Sequence, residues 1–421
     1  MNKRVLMIAY LFPPIANSGT QRSLKFAKYL PQFGWEPIVM TADRPPNGHV
    51  DNRLLGELPP GIRVLRVPML SERIGELVGR LAVTPAARAR ISNGISWRLR
   101  GRWQRPDAYA SWRPTARRAA LRAFKDIGFD AVFATGFPWT SLLIGRDVSL
   151  ATGRALVADF RDPWAAEDVF SSGDGYYADN IPLERSVIRH AAAVISLSET
   201  MIGTMRTAHP DAEPSKFITI PNGFDPDDLA VAQPPAHDCF RIVYTGVWKT
   251  GYTLDSLYDV IGRLAQSAPH LLERLQVVAA GFAPGHAQSR GLARYVTEPG
   301  VLSHAAAVSL MHSADLLFMT NPRGSRQQAC LPGKLYEYLA TGRPVLAVTD
   351  PEGEAGRLIQ TIGGGIAVSP NDPAHLERVI AEALTARRLT VPPQNRCALK
   401  AFERPALARK LAAVLDSVTR S

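Results

Sequence analysis

The sequence predicts an α/β chain folded as two doubly wound domains, each a mainly parallel sheet covered by helices. Three observations carry this expectation. The 421 residues exceed what a single hydrophobic core holds, so two or three domains are expected. Short continuous β-branched runs alternate with amphipathic stretches, as strands buried on both faces of a parallel sheet do. The alternation breaks near the middle of the chain, in a Pro- and Asp-rich stretch without periodicity.

Taken in order, the first strand is RVLMIAY (4–10). Its basic start and short apolar run could imitate a secretory leader, but no small-residue cleavage site follows, so it reads as a buried strand. Further strands are EPIVMTA (36–42), RVLRVP (63–68), DAVFAT (130–135), ALVADF (155–160), AVISL (193–197) and FITIP (217–221). Helical patterns at 20–33, 114–127 and 180–190 separate many of them. The Pro/Gly/Asn-rich segment 44–60 reads as a surface loop. The second series has strands FRIVYTG (240–246), LQVVAAG (275–281), DLLFMT (315–320), PVLAVT (344–349) and GIAVS (365–369). Helices are expected at 253–266, 303–313, 333–341, 353–361 and 373–386. The domains are therefore placed at 1–225 and 240–395, joined by a linker at 226–239. The helical tail 396–421 has no strand to serve and is expected to cross back onto the first domain. Two such Rossmann-like domains should face a central cleft, with function in the loops beyond the carboxyl ends of strands.

Composition excludes several classes. No apolar run approaches the roughly 20 residues that span a bilayer. Cys239, Cys330 and Cys397 are too scattered for a metal site or a disulfide framework, which suits a reducing, cytoplasmic compartment. The nine histidines form no zinc motif. The net charge of +11 is concentrated: residues 71–130 hold thirteen Lys/Arg against five Asp/Glu. There Trp97, Trp103 and Trp112 sit among arginines, in WRLRGRWQRPDAYASWRPTARRAALRAF. Such a mixture suits a surface that meets anionic lipid or phosphate-bearing substrates. It equally suits a solvated helix face with its tryptophans packed inward. No helix-turn-helix, zinc or RNA-binding signature accompanies the charge, so no nucleic acid partner is expected.

Several loops carry candidate site residues. Gly19 precedes a helix after the first strand, where a glycine lets a phosphate approach free N–H groups, or simply makes a turn. It is not part of a three-glycine dinucleotide fingerprint. Arg161 and Asp162 follow ALVADF and are either site residues or a structural pair with an Asx-type turn. Asn222 and Gly223 suit a hinge turn, and Asp225 suits a helix cap. Gly246 ends the first strand of the second domain, and Lys249 in the following loop can reach a diphosphate as a mobile charge or lie in solvent. Lys334 stands in the first turn of a helix, where the dipole disfavours a cation. Glu337 lies one turn on. The pair is either a ligand grip or a surface salt bridge contributing under about 1 kcal/mol.

Together, YLFPPIANSGTQR, VADFRDPW, IPNGFD, YTGVWKTGYTLDSL and GKLYEYLATGRPVLA, in that order, resemble the family 4 retaining glycosyltransferases of the GT-B fold. The resemblance covers nearly the whole chain. It implies an acceptor on the first domain, a nucleoside diphosphate sugar on the second, and no metal or other cofactor. It makes Glu337 the glutamate that bonds the donor ribose hydroxyls, Lys249 the basic residue near the diphosphate, and Gly19 the loop glycine close to diphosphate and sugar. The chain departs from the family pattern twice. Ala329 stands eight positions before Glu337, where an acid often contacts the sugar, which leaves Gln327, Gln328 or backbone N–H groups for that task. Val247 replaces an arginine, so the diphosphate leans on Lys249 and Lys334.

The function implied is retaining transfer to a hydroxyl, in cell-envelope or extracellular polysaccharide or glycolipid synthesis. Asp162 and Arg161 are the catalytic candidates, through a front-face route. Trp103, Arg105, Trp112 and Arg113 form the expected face toward a saccharide or lipid-linked acceptor and an anionic membrane surface, the protein being peripheral at the inner face of the cell membrane. The alternatives are a nucleotide-sugar epimerase of the same architecture and a nonenzymatic nucleotide- or membrane-binding module.

Overall fold

The computed structural model describes residues 2–16, 18–43, 49–79, 105–162, 164, 176–230, 237–246, 253–281, 285–321 and 328–420. The chain forms two compact units, Met1–Pro221 with Pro405–Ser421, and Asn222–Arg404. The exchange falls at Pro221/Asn222 rather than at residue 225, and the return at Arg404/Pro405 rather than at 396. Hydrogen bonding explains both positions. The Phe224 N–H donates to the Phe402 carbonyl at 3.1 Å, and the Arg404 N–H donates to the Phe224 carbonyl at 2.8 Å, which ties 224 and 402–404 into the second unit.

The first unit is built on a seven-stranded sheet: β1 (Lys3–Ala9), β2 (Trp35–Ala42), β3 (Arg63–Val67), β4 (Ala131–Gly136), β5 (Ala155–Phe160), β6 (Ala193–Ser196) and β7 (Phe217–Thr219). Every pairing is parallel and the order is β3-β2-β1-β4-β5-β6-β7. Side chains alternate between faces along each strand. In β1, Leu6 and Ile8 join a core with Ile38, Met40 and Val132 on one face. Val5 and Met7 join Val39, Phe133 and Val157 on the other. That second face is covered in part by the tail. In α7 (Arg404–Thr419), Leu407, Leu411 and Leu415 recur at four-residue spacing and are fully buried there. Each such leucine contributes about 1.5–3 kcal/mol of burial.

The second unit has a six-stranded parallel sheet: β8 (Phe240–Thr245), β9 (Leu275–Ala280), β10 (Val296–Gly300), β11 (Leu316–Thr320), β12 (Val345–Val348) and β13 (Gly365–Val368). Its order is β10-β9-β8-β11-β12-β13. In both sheets the strand order turns back beside the first strand, between β1 and β4 and between β8 and β11. Loops diverge at these switch points, leaving room for ligands at the carboxyl ends of the strands. The helices that bear on the sites are α1 (Ser18–Tyr29), α2 (Leu70–Gly79), α3 (Arg113–Asp126), α4 (Pro226–Leu229), α5 (His304–His312) and α6 (Gly333–Thr341). Among the described residues no helix is long and apolar enough to cross a membrane.

Candidate functional site

In the second unit, β8 ends at Thr245 and Gly246 opens the loop at the switch point. A Cβ at Gly246 would meet Lys334 Nζ at 2.9 Å and Tyr244 Oη at 3.0 Å, so a backbone without a side chain is what lets the ammonium come close. Lys334 Nζ also lies 3.7 Å from the Tyr244 ring centroid. A lysine in the first turn of α6 opposes the helix dipole, and a cation–π contact of about 0.5–2 kcal/mol offsets that cost. Burial pushes the Tyr244 phenol well above its ordinary pKa, so it stays neutral beneath the ammonium. The end of β8 is also pinned to α6: the Thr245 N–H donates to Tyr338 Oη at 2.7 Å. Burial likewise pushes the Tyr338 phenol up, to about 12.

Glu337 lies one turn beyond Lys334. Its Oε1 is 3.1 Å from His304 Nε2, and His304 Nδ1 is 3.9 Å from Asp228 Oδ2. Its Oε2 has no partner among the described residues. The carboxylate is partly exposed and keeps lone pairs for ligand hydroxyls. Gln328 is exposed, and its carbonyl accepts the Glu354 N–H at 2.8 Å, which fixes the chain just before α6. Lys249, Gln327 and Val247 lie outside the described residues. Thus Gly246, Lys334 and Glu337 gather around the carboxyl end of β8 and the start of α6.

Two residues that the sequence reading passed over belong here. His304 orients Glu337 from the first turn of α5. Asn321 follows β11 and is buried; its Nδ2 donates to the Cys330 carbonyl at 3.0 Å and to Thr349 Oγ1 at 2.9 Å, while its Oδ1 lacks a partner among the described residues. The local signal for Asn321 is a polar amide directly after an apolar strand. No local signal marks His304.

In the first unit, two buried arginines organise the switch point. Arg22 grips Asp159 through two bonds of 3.0 and 2.7 Å and donates to the Ile220 and Pro221 carbonyls, both at 2.9 Å. Thr135 Oγ1 donates to the same Asp159 at 2.7 Å. A pair this dry contributes more to a defined arrangement than to stability. Arg161 Nε donates to the Gly136 carbonyl at 2.7 Å, and its Nη2 donates to the Phe137 carbonyl. Its Nη1 lies 2.0 Å from where a Cβ of residue 19 would stand. Burial lowers the Arg161 pKa, against the opposing pull of Asp162 and Asp159; a guanidinium nevertheless remains charged. Asp162 is exposed beside it. Gly19 and Arg161, far apart in sequence, are thus in contact. The space over Gly19 holds a guanidinium and is not open to a phosphate, so the anion-attracting group here is Arg161 at the mouth of α1.

Of the four residues expected on the acceptor or membrane face, Trp112 and Arg113 are engaged elsewhere. Trp112 is fully buried, donates Nε1–H to the Val67 carbonyl at 3.0 Å, and meets the Tyr10 ring edge-on at 5.2 Å. It is a core residue because its indole finds a partner only at the end of β3. Arg113 is spent on Asp147, at 2.6 and 2.9 Å. Arg105 is exposed, and Trp103 lies outside the described residues.

Residues 19–223 match the glycosyl transferase 4-like domain. No curated protein matches the chain in sequence. Among solved structures, an α,α-trehalose 6-phosphate synthase from Burkholderia multivorans is similar at TM-score 0.63 and 12% identity, over 100% of this chain and 99% of that one. A sucrose-phosphate synthase from Thermosynechococcus elongatus is similar at TM-score 0.61 and 16% identity, over 100% and 97%. A UDP-N-acetylglucosamine 2-epimerase is similar at TM-score 0.50 and 13% identity, over 96% and 95%. At such identities these likenesses establish the fold, and the domain match in the first unit adds the reaction class. The chain has the GT-B fold of these glycosyltransferases over its whole length, and residues 19–223 match a glycosyl transferase 4-like domain.

Proposed function

We propose that the chain transfers a sugar, with retention at the anomeric carbon, from a nucleoside diphosphate sugar to an acceptor hydroxyl, and that it does so without a metal ion. The second unit takes the donor. Glu337, oriented by His304, accepts the ribose hydroxyls; Lys334 and Lys249 neutralise the diphosphate; the segment around Gln328 supports the sugar where Ala329 replaces an acid. The acceptor oxygen bonds the anomeric carbon as the bond to the diphosphate oxygen breaks, and the hydroxyl proton passes to the departing diphosphate on the same face. Fixed cations stabilise the charge growing on that leaving group. In the first unit Arg161 and Asp162 position the acceptor. We further read the acceptor as a lipid-linked saccharide of envelope polysaccharide or glycolipid synthesis, met by the basic segment 71–130 at the inner face of the membrane.

The observation that carries the donor site is Lys334 Nζ seated against Gly246 with Glu337 one turn along the same helix. A thermal-shift screen with UDP, GDP, TDP and their sugars tests it. A ligand at a hundred times its Kd adds about 2.7 kcal/mol of stability. Failure of every nucleotide to stabilise the wild type, or an undiminished shift in both Lys334→Ala and Glu337→Gln, overturns the reading. Conversion of a nucleotide sugar to its epimer with no acceptor present would replace transfer by epimerisation.

A further inference from the structure

We infer a phosphate-binding cavity in the first unit, walled by arginines and sharing no residue with the Arg161 or Glu337 sites. A cavity of 240 Å³ lies where the end of β3, α2 and α3 come together, and Arg66, Arg73, Arg118 and Arg122 line it. Among the described residues no acidic one lines it. Arg66 donates from Nη2 to the Pro13 carbonyl at 2.6 Å, which spends only part of its fork. The guanidiniums of Arg73, Arg118 and Arg122 make no hydrogen bond or ion pair to the described residues. A shallower groove of 500 Å³ continues along α3 past Arg117 and Lys125.

A solvated helix face does not account for this arrangement. Such a face spreads charge around one helix and intersperses acids, whereas these guanidiniums arrive from three elements and converge on one concavity. Arg118 and Arg122 stand four residues apart on α3, where like charges repel. The helix carries five basic residues against the single acid Asp126, and among the described residues only Arg113 is balanced, by Asp147. Unpaired cations held together in a concave site are stabilised by a multivalent anion. Arginine forks match phosphate oxygens in bidentate geometry. The volume is below the roughly 300–1,000 Å³ typical of pockets for whole small-molecule ligands, so it suits a phosphate or diphosphate group with the rest of its molecule outside. Assigning that group to the acceptor rests on the reading of the first unit as acceptor-binding; the anion site itself does not.

The test uses the full chain carrying Lys334→Ala, so that the donor site does not compete, and inorganic pyrophosphate as the probe in calorimetry. Binding that weakens as salt rises, and that falls at least tenfold in the added double variant Arg118→Gln/Arg122→Gln, supports the site. Thermal unfolding confirms that the variant is folded, and Arg117→Gln/Lys125→Gln serves as a second variant that thins the groove but leaves the cavity intact. Vesicles of phosphatidylcholine, alone or with phosphatidic acid, then identify the source. Pyrophosphate-competed binding to the phosphatidic acid vesicles assigns a lipid headgroup, and its absence alongside pyrophosphate binding assigns a soluble phosphate. Absence of pyrophosphate binding, or equal binding with and without Arg118 and Arg122, overturns the inference. Nucleoside diphosphate binding in the Arg118→Gln/Arg122→Gln chain with Lys334 intact should match wild type, which separates this failure from failure of the donor reading.

Discussion

Replacing Gly19 by alanine puts a methyl group 2.0 Å from Arg161 Nη1, 2.9 Å from its Cζ and 3.0 Å from its Nη2. No rotation of a single nitrogen relieves three such contacts, so the whole guanidinium must move. It is buried and anchored on the Gly136 and Phe137 carbonyls. Hydrogen bonds from a charged donor each contribute about 1.5–3 kcal/mol, and partial relocation of the group puts the expected loss at about 2–4 kcal/mol. In a unit of this size that corresponds to a fall in Tm of roughly 4–16 °C. The assay is thermal unfolding of wild type, Gly19→Ala, Arg161→Ala and the double variant. Arg161→Ala should be destabilised alone, while Gly19→Ala should cost under about 0.5 kcal/mol once the guanidinium is gone, leaving a coupling of about 2 kcal/mol or more. Equal cost of Gly19→Ala in both backgrounds would refute the contact as its cause. Acceptor-dependent turnover should fall at least tenfold in Gly19→Ala.

Three further outcomes follow from the same geometry. Glu337→Gln should weaken nucleoside diphosphate binding by about 10–150-fold, the range of two charge-assisted hydrogen bonds partly lost, as read by calorimetry. Trp112→Phe should lower stability by about 0.5–1.5 kcal/mol, because the Val67 carbonyl loses the indole and keeps only the Asp43 N–H at 3.1 Å, and should leave vesicle cosedimentation unchanged; a loss of vesicle binding with stability intact would return Trp112 to the surface. Leu411→Ala, deep in the face beneath α7, should cost about 2–5 kcal/mol in chemical denaturation, and a cost near zero would mean that the tail contributes little to the first unit.

The parts of the fold that the sequence disclosed are those in which every residue of a run shares one environment. VLMIA (5–9), AVFA (131–134) and VLAV (345–348) are buried on both sides, so their burial shows as an unbroken apolar string. VTEPG (296–300) forms β10 at the sheet edge with alternating exposure, and no apolar run announces it. The tail was legible because Leu407, Leu411 and Leu415 keep a helical spacing. At the sites, Lys334 and Glu337 were visible as charges misplaced on an apolar helix. Their partners were not: His304 and Tyr244 reach them through tertiary packing, and Arg161 reaches Gly19 from 142 residues away. Trp112 shows the same limit from the other side. An indole among arginines has one composition whether it faces lipid or the core, and only the position of the Val67 carbonyl decides.

The pairing of Phe224 with Glu403, in a parallel bridge flanked by the bonds from Phe224 to Phe402 and from Arg404 back to Phe224, brings the entry and exit of the second unit side by side. That unit is therefore an insert whose ends are already joined by backbone hydrogen bonds. It could be lifted out as residues 222–404 with its ends fastened, and Pro221 could be spliced to Pro405 by a short linker. A gene encoding this chain can accordingly be read as one domain interrupted by another, and exchange of the insert between relatives would replace the second sheet while leaving the first unit continuous.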